Sequence, residues 1–124
     1  MLKVKTKLNN DNYGGFGLFA DQDIVENDIV WQYNPRFTLT FTQEEIKTLS
    51  PFLQDWINKY AYNFCNAETD EVYLDIDDSR FMNHDDNPTT YYDPDTKSYR
   101  AKRNINSNEE LTIDYRDFCE EIKF

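Results

Sequence analysis

The sequence predicts a mostly β, α+β domain in which short strands outnumber a small helical part. Alternating apolar and polar residues recur in short segments, which is the pattern of half-buried strands. Helical spacing is confined to one stretch, at about residues 43–61, and the strand–helix–strand rhythm of a parallel sheet is missing. Since 124 residues suit one domain, we expect residues 1–124 to fold as a single unit.

The first half of the chain is predicted to be strands and turns. Residues 2–8 alternate apolar or threonine side chains with lysines, as in a half-exposed strand. Residues 9–15 are rich in Asn, Asp and Gly, which is typical of a turn. Further short strands are predicted at residues 18–20, 29–33 and 37–42, with a turn at 26–28.

The helical stretch carries two start signals. Thr42 and Glu45 have the spacing of a capping box, and Ser50 is followed by Pro51, a favoured first residue of a helix. Apolar residues then recur at helical spacing, and we expect this stripe to lie in the core without a catalytic role. Its members are Phe52, Leu53, Trp56, Ile57, Tyr60 and Ala61.

The second half returns to strands. Residues 62–65 and 72–76 are predicted to form a hairpin around a polar turn at 66–70. Residues 77–90 are polar and irregular. The last predicted strands are residues 99–105 and 111–115, with a turn at 106–108.

The charge of the chain restricts its partners. Thirteen basic residues stand against 24 acidic ones, a net charge of -11. This balance argues against binding to nucleic acid, which needs a basic surface, and against an anionic membrane. It suits a basic protein or peptide, although acidity that only aids solubility explains the same number.

The cysteines do not predict a metal site. Cys65 and Cys119 lack CxxC spacing, and the chain has one histidine, so a structural zinc site is not expected. We expect two reduced thiols in a cytoplasmic protein. Residues 1–5 lack the apolar run of a signal peptide, and no run reaches transmembrane length, which predicts a soluble protein.

Three segments could carry chemistry. Residues 14–20 contain all three glycines of the chain, and glycine permits positive φ and close approach to a ligand. A nucleotide-binding loop is not indicated, because the third glycine of GxGxxG and the Gly-Lys-Ser/Thr ending of a P-loop are missing. Taken alone, a plain hairpin turn is the simpler interpretation.

The second segment, residues 80–89, is irregular and holds the only histidine, His84. Asn83 and His84 can satisfy the polar backbone groups of a buried loop. The nearby aspartates lack the spacing of a calcium loop, so no metal is expected. The third segment, residues 108–115, alternates like an ordinary strand.

Together and in this order, the three segments resemble the SET-domain family of protein-lysine N-methyltransferases, in particular its short stand-alone microbial or viral members. Gly15-Phe16-Gly17 is similar to the GxG motif of the family, and Arg80-Phe81-Met82-Asn83-His84 matches the start of its RFxNHSxxPN motif. Residues 109–115 are similar to its GEELTxDY motif. The resemblance covers about residues 2–118.

The resemblance implies small sheets around a knot-like crossing, with the last strand threaded beneath the loop of the second motif. It implies that residues 80–88 meet residues 111–115 and build one site from two distant segments. The stretch at 43–61 would then be a helical insert that shapes the substrate groove, and residues 116–124 a C-terminal tail.

The same resemblance implies S-adenosylmethionine as the cofactor and no metal. The cofactor would contact Gly15, Phe16, Gly17, Arg80, Asn83, His84, Tyr115 and Phe118. Tyr115 would be catalytic at the point of methyl transfer, and Tyr62 is our candidate for a second catalytic tyrosine in the substrate channel. Ile113 would lie in this channel where family members often have Phe or Tyr, which predicts products beyond monomethyl-lysine.

The chain also departs from the family pattern. Asp85 stands in place of Ser, Thr89 in place of Asn, and Asn108 in place of Gly. A zinc-binding cysteine segment is missing, so Phe118 or Phe124 could stack on the adenine, although both could equally pack in the core.

Two functions therefore stay open. One is a lysine methyltransferase for a basic protein such as a histone. The other is a weak or inactive SET-like module that binds basic peptides. We expect a monomer or homodimer in the cytoplasm, or in a host cell or host nucleus if the source is viral or a secreting bacterium.

Overall fold

The computed structural model describes residues 1–64 and 70–118. Cys65, Cys119, Phe124 and most of the predicted turn at 66–70 lie outside these residues. The predictions made for them above therefore stay predictions.

The described residues form nine short strands, two α-helices and two short 3-10 helices, Asp78–Phe81 and Tyr115–Asp117. The strands are β1 (Thr6–Asn10), β2 (Phe16–Ala20), β3 (Ile29–Gln32), β4 (Thr38–Phe41), β5 (Val72–Asp75), β6 (Asn83–His84), β7 (Thr90–Asp93), β8 (Ser98–Ala101) and β9 (Thr112–Ile113). The helices, α1 (Gln43–Lys47) and α2 (Pro51–Tyr60), lie between β4 and β5. This order confirms the predicted strand-rich α+β class.

The strands pair in small sheets. β1 pairs with β2 and β4 with β5, both antiparallel, and β8 lies between β3 and β7. β6 and β9 pair in parallel. The main core lies between these sheets; its fully buried side chains include Leu18, Val30, Ile105 and Leu111.

The first hairpin differs from its prediction. The paired strand begins at Thr6 and continues to Asn10, whereas the alternation had placed it at residues 2–8. Leu2 makes only an isolated bridge, to Trp31. The asparagines extend the strand because this two-stranded edge faces solvent and needs only backbone pairing there.

The predicted helix starts are confirmed. The Thr42 hydroxyl accepts a hydrogen bond from the Glu45 N–H at 3.1 Å, and the Ser50 hydroxyl accepts one from the Leu53 N–H at 3.4 Å. Pro51 occupies the first turn of α2. Within the described residues, no helix is long and apolar enough to cross a membrane.

The prediction that the apolar stripe of α2 is core was wrong. Phe52 is 75% exposed, and Leu53 and Trp56 are exposed as well, whereas Ile57 is buried. α2 covers only a small second core, in which Ile57 packs with Ile46 and Val72. This core is too small to cover the remaining apolar side chains of the helix.

The second half is more broken than predicted. Tyr62 and Tyr73 exchange two backbone hydrogen bonds, as in the expected hairpin, but β5 pairs mainly with β4. The strand expected at 99–105 is β8, and Ile105 makes a separate bridge to Ile24. β7 lies just after the segment predicted to be irregular and was not predicted.

β6 and β9 lie side by side where two distant segments of the chain cross. Asn83 lies opposite Thr112, and His84 lies opposite Ile113. The far end of the same loop returns to the same strand, since the Thr89 N–H and the Thr90 hydroxyl both donate to Thr112. The loop at 83–90 thus holds the last strand at both of its ends, and the two motif segments meet as expected.

Candidate active site

A cavity of about 210 Å³ lies beside the crossing. Five of the residues proposed from the sequence line it: Tyr62, Arg80, Ile113, Tyr115 and Phe118. We call it the crossing cavity. Other lining residues are Trp31, Lys59, Tyr60, Ala61, Asn63, Asp75, Ser79, Met82 and Tyr99.

The glycine turn is tied to the crossing through Asp11. One carboxylate oxygen of Asp11 accepts hydrogen bonds from the Tyr13 and Gly15 N–H groups at 2.9 and 2.8 Å. The other accepts one from the Asn83 amide at 3.0 Å. The Gly15 hydrogen bond is the largest cause that lowers the pKa of Asp11. Asp11 therefore stays charged and fixes the turn against β6.

Gly17 is needed for close packing at this joint. A Cβ there would clash with the Glu110 carboxylate and lie 3.1 Å from the Asn83 amide nitrogen. The same Asn83 nitrogen donates to Glu110 at 3.0 Å. Phe16 between the glycines is 56% exposed and contacts Phe81 edge to face. Gly15, Phe16 and Gly17 thus form one wall beside the second motif. They do not line the crossing cavity.

His84 holds the backbone of the last strand. Its Nδ1 accepts a hydrogen bond from the Tyr115 N–H at 3.0 Å, which requires an unprotonated Nδ1. Its Nε2 lies 2.9 Å from an oxygen of Asp86. Both ring nitrogens of His84 therefore contact groups of the protein.

Tyr115 points its hydroxyl into the crossing. The hydroxyl donates to the Met82 carbonyl at 2.9 Å, and its ring lies 5.3 Å from that of His84. Burial raises the pKa of Tyr115 above its ordinary value, and it also raises the pKa of Tyr62 and Tyr99. These phenols are therefore protonated at neutral pH and do not act as bases.

Arg80 offers an unused donor to the cavity. Its guanidinium donates to the Asp77 carbonyl at 3.0 Å and lies over the Phe81 ring, 4.6 Å from the centroid. Its Nε is buried without a hydrogen-bond partner. Buried donors are usually paired, so this nitrogen is available to an acceptor in the cavity.

A second cavity, of about 260 Å³, adjoins the first. Trp31, Tyr62, Tyr99 and Phe118 line both cavities and form the wall between them. Of the ten described residues that line the second cavity, eight are aromatic, and we call it the aromatic cavity. Its remaining lining residues are Tyr33, Phe64, Tyr73, Tyr92, Lys97 and Asp117.

Most residues of the aromatic cavity were not predicted from the sequence. Its rings come from six separate stretches of the chain, and each alone looks like an ordinary strand residue. The Tyr99 hydroxyl donates to Asp117 at 3.1 Å, and burial raises the pKa of that carboxyl. The abundance of tyrosine and phenylalanine, nine of each, was the available signal.

The sequence left open whether Phe118 packs within the protein or stacks on the adenine, and in the structure it packs against other aromatic rings. Its ring stacks on Tyr62 with centroids 4.8 Å apart and also contacts Phe64 and Tyr99. These contacts place it in the wall between the cavities. A stacking contact with adenine stays a prediction.

Where the chain departs from the expected motifs, the residues present still tie the loop to the last strand or fit the required backbone conformation. The Thr89 hydroxyl accepts from the Thr112 N–H at 3.0 Å and donates to the Glu110 carbonyl at 3.1 Å. Asp85 donates its N–H to the Ile113 carbonyl at 3.0 Å. Asn108 has φ of 76°, a left-handed conformation that asparagine adopts more readily than most residues. The loop therefore keeps its ties to the last strand.

Comparison with known proteins points to one family. The family model described as SET domain matches residues 15–116. A histone-lysine N-methyltransferase of Candida albicans, described as specific for lysine 36 of H3, is 26% identical over 121 residues. The match covers 90% of this chain but 14% of the relative, so the chain spans about one seventh of that protein's length.

Solved structures agree in fold. A Plasmodium falciparum protein described as a histone methyltransferase superposes with a TM-score of 0.58 at 22% identity, covering 90% of this chain and 96% of that one. A chain of the Chaetomium thermophilum polycomb repressive complex 2 superposes with a TM-score of 0.63 at 22% identity. It covers 90% of this chain and 15% of that one. At such identity the likeness concerns the fold.

Proposed function

The chain belongs to the SET domain family, and from this premise we propose that it is a protein-lysine N-methyltransferase that uses S-adenosylmethionine. The observation that carries the proposal is the parallel pairing of β6 with β9 beside the crossing cavity. This pairing puts Asn83 and His84 next to Ile113 and Tyr115, so that the second and third motifs contribute to one site.

The residues present fit the cofactor. A carboxylate such as that of its methionine part could accept a hydrogen bond from the buried, unpaired Nε of Arg80. The wall at Gly15, Phe16 and Gly17 offers backbone groups, and the lack of a side chain at Gly17 keeps it close to Asn83. When bound, S-adenosylmethionine supplies an activated methyl group on a positively charged sulfur.

The protein's part in the reaction is orientation and exclusion of water. The target lysine must arrive neutral, although its ordinary pKa is about 10.4. In a site low in water and beside the positively charged sulfur of the bound cofactor, the charged form of the amine would be disfavoured. The protonated hydroxyl of Tyr115, held at the Met82 carbonyl, and the buried Tyr62 then orient the amine. Correct alignment alone supplies much of the rate of such a transfer.

The two cavities suggest the route of the substrate. We assign the crossing cavity, which holds Arg80 and adjoins β6, to the reacting end of the cofactor. The aromatic cavity on the other side of the wall suits a lysine side chain. Tyr62 and Phe118 line both cavities and would flank the point where the two molecules meet.

The substrate class follows from charge and from the relatives. A net charge of -11 favours encounter with a basic protein. The Candida and Plasmodium proteins are both described as histone methyltransferases. We therefore propose a lysine in a basic protein such as a histone as the target.

The test is methyl transfer in solution. The purified protein, incubated with radiolabelled S-adenosylmethionine and a panel of basic proteins, should label at least one of them, and mass spectrometry should locate methyl groups on lysine. Calorimetry should show cofactor binding without added metal. Binding without transfer to any basic protein would favour the inactive peptide-binding module, and lack of cofactor binding would refute the proposal.

A further inference from the structure

We propose that the aromatic cavity binds methylated lysine side chains in preference to unmodified lysine. The inference rests on the proposed function and specifies its substrate: a lysine that already carries methyl groups. It starts from the composition of the cavity, in which eight of the ten lining residues that the structure describes are aromatic. A volume of about 260 Å³ suits a single side chain.

The rings of this cavity form one connected set. Tyr99 contacts Tyr92 at 5.3 Å and Trp31 at 5.9 Å between ring centroids. Tyr62 stacks on Phe118 at 4.8 Å and contacts Tyr73 at 5.8 Å. Such clustered rings bind cations through their π faces, and quaternary and methylated ammonium groups are the ligands that aromatic cages select.

One carboxylate supplies the opposite charge. Asp117 is the only acidic residue among the described residues that line the cavity, and it already accepts the Tyr99 hydroxyl. The basic residue among the described lining residues is Lys97, whose ammonium nitrogen lies 5.9 Å from the Tyr33 ring centroid. Methylation preserves the positive charge of a protonated lysine, so a methylated side chain keeps its attraction to Asp117.

The described lining residues offer an ammonium group few acceptors compared with their apolar surface: the tyrosine hydroxyls and the Asp117 carboxylate. An unmodified ammonium carries three N–H donors that lose water on entry. The Tyr73 and Tyr99 hydroxyls are directed at Glu71 and Asp117, and the buried Trp31 Nε1 is itself a donor without a partner. Each methyl group removes one N–H donor and adds apolar surface against the rings. Affinity should therefore rise with each methyl.

This preference would affect successive transfers. A monomethyl- or dimethyl-lysine still has a lone pair when neutral and can accept another methyl group. It would be captured better than unmodified lysine. A trimethyl-lysine has no lone pair, so it would remain as a competing product in the cavity.

Binding measurements test the inference without requiring turnover. One Lys/Arg-rich peptide would be made with its central lysine unmodified, monomethylated, dimethylated or trimethylated, and titrated calorimetrically into the protein without cofactor. We expect Kd to fall by about 5-fold or more from the unmodified to the trimethylated peptide. Tetramethylammonium chloride should compete with the trimethylated peptide.

Two adjacent tyrosines give a matched pair of variants. Tyr92 lines the cavity and is 39% exposed, while Tyr91 is 37% exposed and lies outside the lining. Tyr92→Leu should lower the preference for methylated peptide at least about 3-fold, whereas Tyr91→Leu should leave it unchanged. Thermal unfolding of both variants would confirm that they fold.

Three results would overturn the inference. They are equal or weaker affinity for the trimethylated peptide, equal effects of Tyr91→Leu and Tyr92→Leu, and no binding of any of the four peptides. None of them requires methyl transfer. A protein that prefers methylated peptide but never transfers a methyl group would refute the proposed function and keep this inference.

Discussion

At the scale of single residues, Tyr115 joins both motif segments by two separate hydrogen bonds. Its N–H donates to His84 at 3.0 Å, and its hydroxyl donates to the Met82 carbonyl at 2.9 Å. On the Tyr115 side, the first bond uses only the backbone N–H, whereas the second uses the side-chain hydroxyl. A substitution that removes only the hydroxyl therefore separates the chemical role of Tyr115 from its place in the fold.

We predict that Tyr115→Phe lowers kcat of methyl transfer by about 100-fold or more, because the hydroxyl oxygen positioned at the reacting groups is lost. The free energy of unfolding should fall by about 1–2 kcal/mol, since neutral hydrogen bonds of the hydroxyl, the one to the Met82 carbonyl among them, disappear. Steady-state kinetics and urea denaturation measure the two effects.

The control for this prediction is Tyr91→Phe, which removes the hydrogen bond from an exposed tyrosine hydroxyl to Asn27. That variant should keep the wild-type rate. A Tyr115→Phe protein with wild-type kcat would show that the hydroxyl has no role in the reaction.

Ile113 is the residue from which we predict the degree of methylation. It is buried, pairs with His84 and lines the crossing cavity. Its side chain has no hydroxyl to hold a water near the amine and is smaller than an aromatic ring. We predict dimethyl- or trimethyl-lysine as the final product of the wild-type protein, and monomethyl-lysine as the final product of Ile113→Tyr.

Mass spectrometry of exhaustive reactions measures this product. Ile113→Val serves as the control, because it stays apolar and small and should give the wild-type product. A wild-type reaction that stops at one methyl group would contradict the prediction and would indicate that a neighbour such as Tyr62 fills the space.

Residue roles were only partly accessible from the sequence. The motifs identified Arg80, Asn83 and Tyr115, but they could not show that Arg80 has an unpaired buried Nε. Nor could they predict Asp11, which contacts Asn83 from 72 residues away in the chain. Contacts of this kind depend on the pairing of distant segments, which local patterns do not encode.

At the scale of elements, the turn before β9 depends on one unusual backbone conformation. Asn108 has φ of 76° and donates its N–H to the Ala20 carbonyl at 2.7 Å. Its side-chain oxygen also contacts the Lys7 ammonium group. Because this turn directs the chain from β8 to β9, its conformation determines how β9 enters the crossing.

We predict that Asn108→Ala destabilises the protein by about 1 kcal/mol, because a Cβ without a local polar group disfavours the left-handed region. Asn108→Gly should cost clearly less, since glycine adopts this conformation freely. Urea denaturation of the two variants measures the difference. Equal stability of both variants would show that the Lys7 contact, which both lose, is the important feature.

Elements with local signals were predicted well. Thr42 and Ser50 marked the helix starts, because a cap needs only residues a few positions apart. The exposure of Phe52 and Trp56 was not predicted, since helical spacing shows which residues share a face and not whether a partner covers that face. The two-residue strand β6 lies in a segment that was predicted to be irregular, whereas β9 is a shorter form of the strand predicted at 111–115.

At the scale of the whole molecule, the excess of acidic over basic residues is the dominant surface property. Several acids are paired locally, as in the contacts of Arg100 with Asp93 and Arg116 with Asp114. With 24 acids and 13 bases in the chain, at least 11 acids have no basic partner if each base pairs with one acid. The unpaired acids give the protein a negative field that attracts basic polypeptides.

The last prediction concerns this field. We expect the KM for a Lys/Arg-rich peptide to rise as the salt concentration is raised from about 20 to 500 mM, with kcat little changed. The reason is that exposed charges are screened beyond about 8–10 Å at physiological ionic strength, so the attraction between acidic surface and basic peptide weakens. A peptide with the same target lysine and neutral flanking residues is the control, and its KM should change far less. If both peptides respond equally, salt acts on the protein as a whole. If neither responds, the net charge of -11 serves solubility and target choice depends on the aromatic cavity and its surroundings.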